Sequence, residues 1–217
     1  MKRRYFVWLA AAGVLFAGSN AEAEQLCNQN VHQKFEEMRI YSRSFIATCK
    51  PGSRCRIVTH RLDRDAPLGF SHTLAFQRAD ISGKWHMMLV DVLEPANTHA
   101  GFAMTVDNNS VQQISGNFIT APVSVNEYKI AADISGKILA EAKPGDNINW
   151  SYASQDGENH NVRFSLSGLT NALEWAECAQ AELASGKSGP PEPEDKQSEF
   201  SPPEPGVPVD PVGDGKD

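Results

Sequence analysis

The feature that most constrains this chain is a change of hydrophobic period at Ser167-Gly168. Before it, Asn161-Val162-Arg163-Phe164-Ser165-Leu166 alternates polar and apolar residues, as a strand with one buried face does. After it, the apolar positions are Leu169, Ala172, Leu173, Ala176 and Leu183, the stripe of an amphipathic helix that ends near Ser185-Gly186. A strand feeding a helix with one apolar face requires a sheet for that face to cover, and the preceding residues must supply it.

They do so as short segments separated by turn chemistry. Phe45–Cys49 and Cys55–Thr59 read as a hairpin across Pro51-Gly52-Ser53. Ser71–Gln77 and Trp85–Val90 flank Ser82-Gly83, and Phe102–Val106 and Val111–Ile114 flank Asp107-Asn108-Asn109-Ser110, which suits the positive φ angles of a tight turn. Tyr128–Ala132, Ile148–Ala153 and Asn161–Leu166 complete eight or nine strands, a spacing that predicts an antiparallel sandwich or barrel. Two segments are expected to be helical besides the C-terminal one. The first lies within residues 28–41, where Val31, Phe35 and Met38 have helical spacing and Asn30 is a cap candidate; the second is Ile138–Lys143, stopped by Pro144-Gly145. The hexapeptide Ala79-Asp80-Ile81-Ser82-Gly83-Lys84 recurs as Ala132–Lys137, and because the flanks differ it reads as the same turn chemistry used twice.

Lys2, Arg3 and Arg4, an apolar run from Tyr5 to Ala17, and Ala21-Glu22-Ala23 form a secretory-signal pattern, predicting cleavage after Ala23. The run is too short to span a bilayer, so no membrane span is expected after cleavage. The expected divisions are 1–23 signal peptide, 24–43 N-terminal segment, 44–185 sandwich domain with its C-terminal helix, and 186–217 an acidic tail. The tail holds eight of the thirteen prolines and three lysines against eight acids, and such a composition predicts disorder. The whole chain carries 20 basic and 27 acidic residues, a net charge of −7; without residues 1–23 the counts are 17 and 26, or −9. That balance argues against nucleic acid or an anionic membrane as partner.

An exported chain meets an oxidising compartment, so Cys27, Cys49, Cys55 and Cys178 are disulfide candidates with three possible pairings. The Pro-Gly turn favours Cys49 with Cys55, which leaves Cys27 for Cys178. At about 100° per residue, Cys178 falls opposite the apolar stripe, so the N-terminal segment should cross the outer side of the helix.

A search for chemistry finds little. The six histidines, His32, His60, His72, His86, His99 and His160, show no zinc-finger or metalloprotease spacing, and Asp156-Gly157-Glu158-Asn159 is too short for an EF-hand loop and reads as a turn. His72 and His86 are expected to face each other across neighbouring strands as an ordinary polar pair. Ser71 and His72, adjacent on a strand, should point to opposite faces and form no dyad. No Gly-x-Ser-x-Gly elbow exists, and the cysteines are not spaced as a redox pair. Trp85, Trp150 and Trp175 are expected in the core or at its rim. No catalytic, cofactor-binding or metal residue is assigned, no cofactor is expected, and the chain is not expected to be an enzyme.

The order of these features resembles the invasion-associated locus B family of exported proteobacterial proteins. The likeness runs over residues 44–176 and is carried by Phe45–Cys49, Cys55-Arg56-Ile57, Ile138-Leu139-Ala140, Lys143-Pro144-Gly145-Asp146 and Phe164–Leu173. This chain has Asn117–Pro122 where that family carries a second cysteine pair, and Cys27 and Cys178 are additions. The resemblance implies a mainly β fold, an antiparallel immunoglobulin-like sandwich with a C-terminal helix packed on it. It also implies a role at the cell envelope or in host-cell interaction, with no catalytic residue or cofactor to transfer; with the signal pattern and the missing catalytic constellation, the expectation is a periplasmic or secreted, non-enzymatic protein that binds a protein or envelope component in host-cell interaction or envelope maintenance. The alternative is a periplasmic enzyme or enzyme inhibitor using the 61–70 loop and nearby histidines.

Overall fold

The computed structural model describes residues 25–50, 54–79, 81–124 and 126–186. The expected signal peptide, the Pro51–Ser53 turn and the acidic tail beyond Gly186 lie outside them. In chain order the strands are β1 (Gln25–Leu26), β2 (Gln29–Asn30), β3 (His32–Lys34), β4 (Glu37–Ser42), β5 (Phe45–Cys49), β6 (Cys55–Leu62), β7 (Phe70–Arg78), β8 (His86–Asp91), β9 (Phe102–Val106), β10 (Gln112–Ile114), β11 (Ile119–Ser124), β12 (Glu127–Ile130), β13 (Asn147–Ala153) and β14 (Asn159–Ser165). Helix α1 (Ala132–Ala142) follows β12, and α2 (Leu169–Ala184) follows β14.

Eight strands form one antiparallel sheet in the order β11-β12-β8-β7-β6-β5-β4-β3, and four form a second in the order β10-β9-β13-β14. This is a mainly β, open, sandwich-like arrangement with a C-terminal helix packed on it. The inner face of the large sheet is divided between two neighbours. Over β4, β5 and β6 it is covered by α2; over β8 and β12 it faces the small sheet and α1. Trp150, fully buried, stands at the centre of the second region, with Phe102 edge-on at 5.4 Å and Tyr152 stacked at 4.2 Å between ring centroids. Each such side chain fully removed from water contributes roughly 1.5–3 kcal/mol.

The β14–α2 junction matches its sequence pattern. Val162, Phe164 and Leu166 are buried between exposed neighbours, and Leu169, Ala172, Leu173 and Ala176 face the large sheet. Ala176 is small for a reason: its carbonyl oxygen lies 3.8 and 3.5 Å from the sulfurs of Cys49 and Cys55, which form a disulfide across the directly paired β5 and β6 positions. Cys27 is bonded to Cys178 on the exposed side of α2, and the Trp175 indole N–H donates to the Leu26 carbonyl at 3.2 Å. The N-terminal segment therefore crosses the outer side of the helix, as the angular argument required.

Three expectations are corrected. Residues 28–41 contain no helix: β4 buries Met38, Ile40 and Ser42 at period two, and Phe35, which supplied the apparent helical spacing, is 83% exposed in a turn at φ 57°. The second hexapeptide, Ala132–Lys137, is the start of α1 and not a turn, whereas Ile81, Ser82 and Gly83 of the first copy do lie in a turn region. Strands β1, β2, β3, β4 and β11 were not anticipated, so the described residues hold more strands than the eight or nine expected.

Candidate functional site

Two parts of the surface combine concavity or buried polar groups with chemistry. The first is on the outer face of the large sheet. Cross-strand register aligns Arg56, Gln77 and His86, and sets Met88 beside Lys129 and Val90 beside Glu127. With Arg54 and Lys84 from the adjoining loops, Arg56, Gln77, His86, Met88, Glu127 and Lys129 line a cavity of about 400 Å³. Its floor is apolar at Met88, which is only 5% exposed. Its walls are basic. Among the described lining residues Arg54, Arg56, Lys84 and Lys129 oppose one acid, Glu127, whose carboxylate lies 3.9 Å from the Arg56 guanidinium. His86 Nδ1 is 3.3 Å from the Ile130 carbonyl oxygen, to which it donates. A local excess of three positive charges in a net acidic chain makes an anion-attracting concavity.

The second is at one end of the sandwich. Asp91, 1% exposed at the end of β8, accepts the backbone N–H groups of Leu93 and Glu94 on one oxygen (2.9 and 3.2 Å) and the Tyr152 hydroxyl on the other. Because that hydroxyl proton goes to Asp91, His72 Nε2 donates to the Tyr152 oxygen at 2.8 Å. Nδ1 lies 2.9 Å from Ser71 Oγ, within hydrogen-bond range. Burial alone would raise the Asp91 carboxyl, but the His72 ring nitrogen 3.5 Å away and the hydrogen bonds from Tyr152, Leu93 and Glu94 override that and hold it below the usual carboxylate range. The Tyr152 phenol is pushed up by burial and by the neighbouring Asp91 charge. The β8–β9 loop that Asp91 fastens carries Glu94, and Glu158 and His160 on the β13–β14 hairpin complete a group whose ligand atoms all lie within 4.8 Å of one another.

The structure brings together what the strand rule had separated. Ser71 and His72 share a hydrogen bond because the β6–β7 register shifts there, with His72 opposite Arg61 but Phe70 opposite Leu62. The extra residue breaks the alternation that sends neighbours to opposite faces. His72 and His86 do not face each other: His72 pairs with Asp91 and His86 with Gln77, at opposite ends of the β7–β8 hairpin. His60 lies on the outer face against Thr73 Oγ1 (2.8 Å) and Phe70; burial first and the Arg56 charge second hold its ring below the usual histidine range. The connection from Asp63 to Gly69 closes on itself through Asp63 N–H to Gly69 O (3.1 Å) and Gly69 N–H to Ala66 O (2.9 Å), leaving Leu62 and Leu68 exposed. Both disulfides, Cys27–Cys178 and Cys49–Cys55, form as paired from the sequence. The basic cavity was missed because its residues come from four strands and share no motif; the alternate-position pair Arg54 and Arg56 was the available signal.

Comparison with known proteins gives little. No family model and no curated protein matches the chain. Among solved structures, the crystal structure of invasion associated protein B from Bartonella henselae superimposes with a TM-score of 0.48 at 13% sequence identity, over 69% of this chain and 97% of that one.

Proposed function

We propose that this protein is an exported, non-enzymatic binding protein of the cell envelope or surface, and that it engages an anionic partner through the basic cavity on the outer face of its large sheet. The observation that carries the reading is the cavity itself: four cationic side chains around an apolar floor, on a chain whose other charges are mostly acidic. Two disulfides fit an oxidising, periplasmic or extracellular setting, and no helix among the described residues is long and apolar enough to cross a membrane. The invasion-associated resemblance of residues 44–176 points the role toward host-cell interaction or envelope maintenance. Net negative charge elsewhere disfavours long polyanions such as nucleic acid and favours a compact anionic group.

Capture experiments with the disulfide-intact protein on envelope and host-cell extracts test this. Retention of a partner that elutes with salt and is lost in Arg56→Glu/Lys129→Glu is expected; equal retention by the double variant contradicts it. A second reading, a periplasmic enzyme or inhibitor built on the 61–70 loop and nearby histidines, has the Ser71–His72 hydrogen bond in its favour. Ser71 and His72 are 4% and 8% exposed and their network is closed, which favours a structural part. Labelling of Ser71 by a serine-directed phosphonate, lost in His72→Ala, would support the enzyme reading.

A further inference from the structure

We propose that Glu94, Glu158 and His160 form a binding site for a divalent first-row metal ion of the zinc class at the end of the sandwich, independent of the basic cavity. Three observations carry it. First, His160 Nε2 and Glu94 Oε2 face each other at 3.7 Å, beyond hydrogen-bond range. A metal with bonds of about 2.0–2.2 Å sets neighbouring donors roughly 3.3–3.6 Å apart, so the observed separation is close to that of two ligands sharing one ion. Second, both atoms are shielded from solvent and neither has a hydrogen-bond partner, although their side chains are only part-buried. A desolvated carboxylate oxygen and a desolvated imidazole nitrogen facing each other are satisfied either by a proton on the ring, as a direct ion pair, or by a cation between them. Third, Glu94, Glu158 and His160 each offer one ligand atom within 4.8 Å of the other two, and a cation among them would offset the repulsion of two carboxylates this close.

The ligands are held from behind. The loops that carry them are zipped together by an Ala96–Ser154 bridge, by Gln155 N–H to Pro95 O (3.1 Å) and by Asn97 N–H to Ala153 O (2.8 Å). Asp91 fixes the Glu94 backbone, and Ser154 N–H donates to Glu158 O at 2.8 Å. The His160 ring lies flat on Tyr152, 5.0 Å between centroids and 13° between planes, which sets the direction of Nε2. One imidazole with two carboxylates suits zinc and its neighbours in the series and disfavours calcium, which takes oxygen throughout. Three protein groups would leave a tetrahedral ion one position for water or a further ligand. The sequence search had looked only for local spacings, and Glu94 lies more than sixty residues from the other two.

The test is isothermal titration of the metal-free, disulfide-intact chain with zinc chloride, then with calcium chloride, together with an NMR spectrum of the histidine ring protons. Saturable 1:1 zinc binding, with the His160 ring signal shifting and calcium failing to compete, is expected. His160→Ala and Glu94→Gln should each weaken binding at least about tenfold. Glu158→Gln, at an exposed position where folding is not at stake, should weaken it severalfold. His99→Ala should leave it unchanged. No saturable zinc binding by the folded wild type, or binding that survives in the His160→Ala/Glu94→Gln double variant, overturns the site.

Discussion

Gly168 shows how much one residue can decide. It sits at φ 91° between β14 and α2, and a Cβ there would collide with the Ser42 backbone carbonyl. The β4–β5 turn grips the junction at that point, with Ser42 Oγ donating to Gly168 O at 2.9 Å and Ser44 N–H to Ser167 O at 3.2 Å. Gly168→Ala therefore combines backbone strain with a clash and should cost about 2 kcal/mol or more in urea unfolding. Asp91 gives a pH-dependent counterpart. Its folded pKa is lowered, so the stability it confers is present above its unfolded value of about 3.9 and is lost as pH falls through the lower folded value. Wild type should thus lose stability more steeply than Asp91→Asn below about pH 4. At neutral pH the variant should be about 2–4 kcal/mol less stable, since it leaves Tyr152 and two backbone N–H groups with a poorer acceptor.

At the scale of elements, the repeated hexapeptide shows where local reading stops. In Ala132–Lys137 the buried Ser135 hydroxyl accepts the Met87 N–H at 2.8 Å and donates to Ile130 O at 3.1 Å, tying the first turn of α1 to β8 and β12. In the first copy, Ile81 is 51% exposed and Ser82-Gly83 lie in a turn region. Tertiary contacts, not the six residues, choose the conformation. Ser135→Ala should cost about 1–3 kcal/mol by thermal or urea unfolding, because it leaves a buried N–H without its acceptor. The two staples differ in the same way. Closing the long Cys27–Cys178 loop constrains the unfolded chain by up to about 5 kcal/mol, against about 2 for Cys49–Cys55, so Cys27→Ser/Cys178→Ser should lower the urea midpoint further than Cys49→Ala/Cys55→Ala. The strand-to-helix junction, both disulfides and most of the sandwich strands were legible because period and turn chemistry are local signals. Residues 28–41 were misread because apolar residues at 31, 35 and 38 fit a helix by spacing, while Phe35 faces solvent. The Ser71–His72 contact was misread because a bulge is set by strand register, which no window of sequence contains.

For the whole molecule, the central point is how charge is distributed. Net charge is a property of composition, and it argued against nucleic acid and anionic membranes; the fold gathers Arg54, Arg56, Lys84 and Lys129 onto one concave face and places Glu94 and Glu158 at the end of the sandwich. Neither cluster is visible along the chain, because both are assembled by strand pairing across more than sixty residues. Binding at the basic face should weaken steeply with salt, as screening over about 8–10 Å at physiological ionic strength requires. The floor of the cavity offers a direct reporter. Met88 is the methionine beneath the cationic wall, whereas Met38, Met87 and Met104 are fully buried in the core. In a spectrum of protein labelled at the methionine methyl carbons, titration with a sulfated hexasaccharide as an anionic probe should shift the Met88 signal and leave the three core signals in place, and Arg56→Glu/Lys129→Glu should abolish that shift. A Met88 signal that stays fixed while the probe binds, or that shifts equally in the double variant, would contradict the assignment of this face as the binding surface.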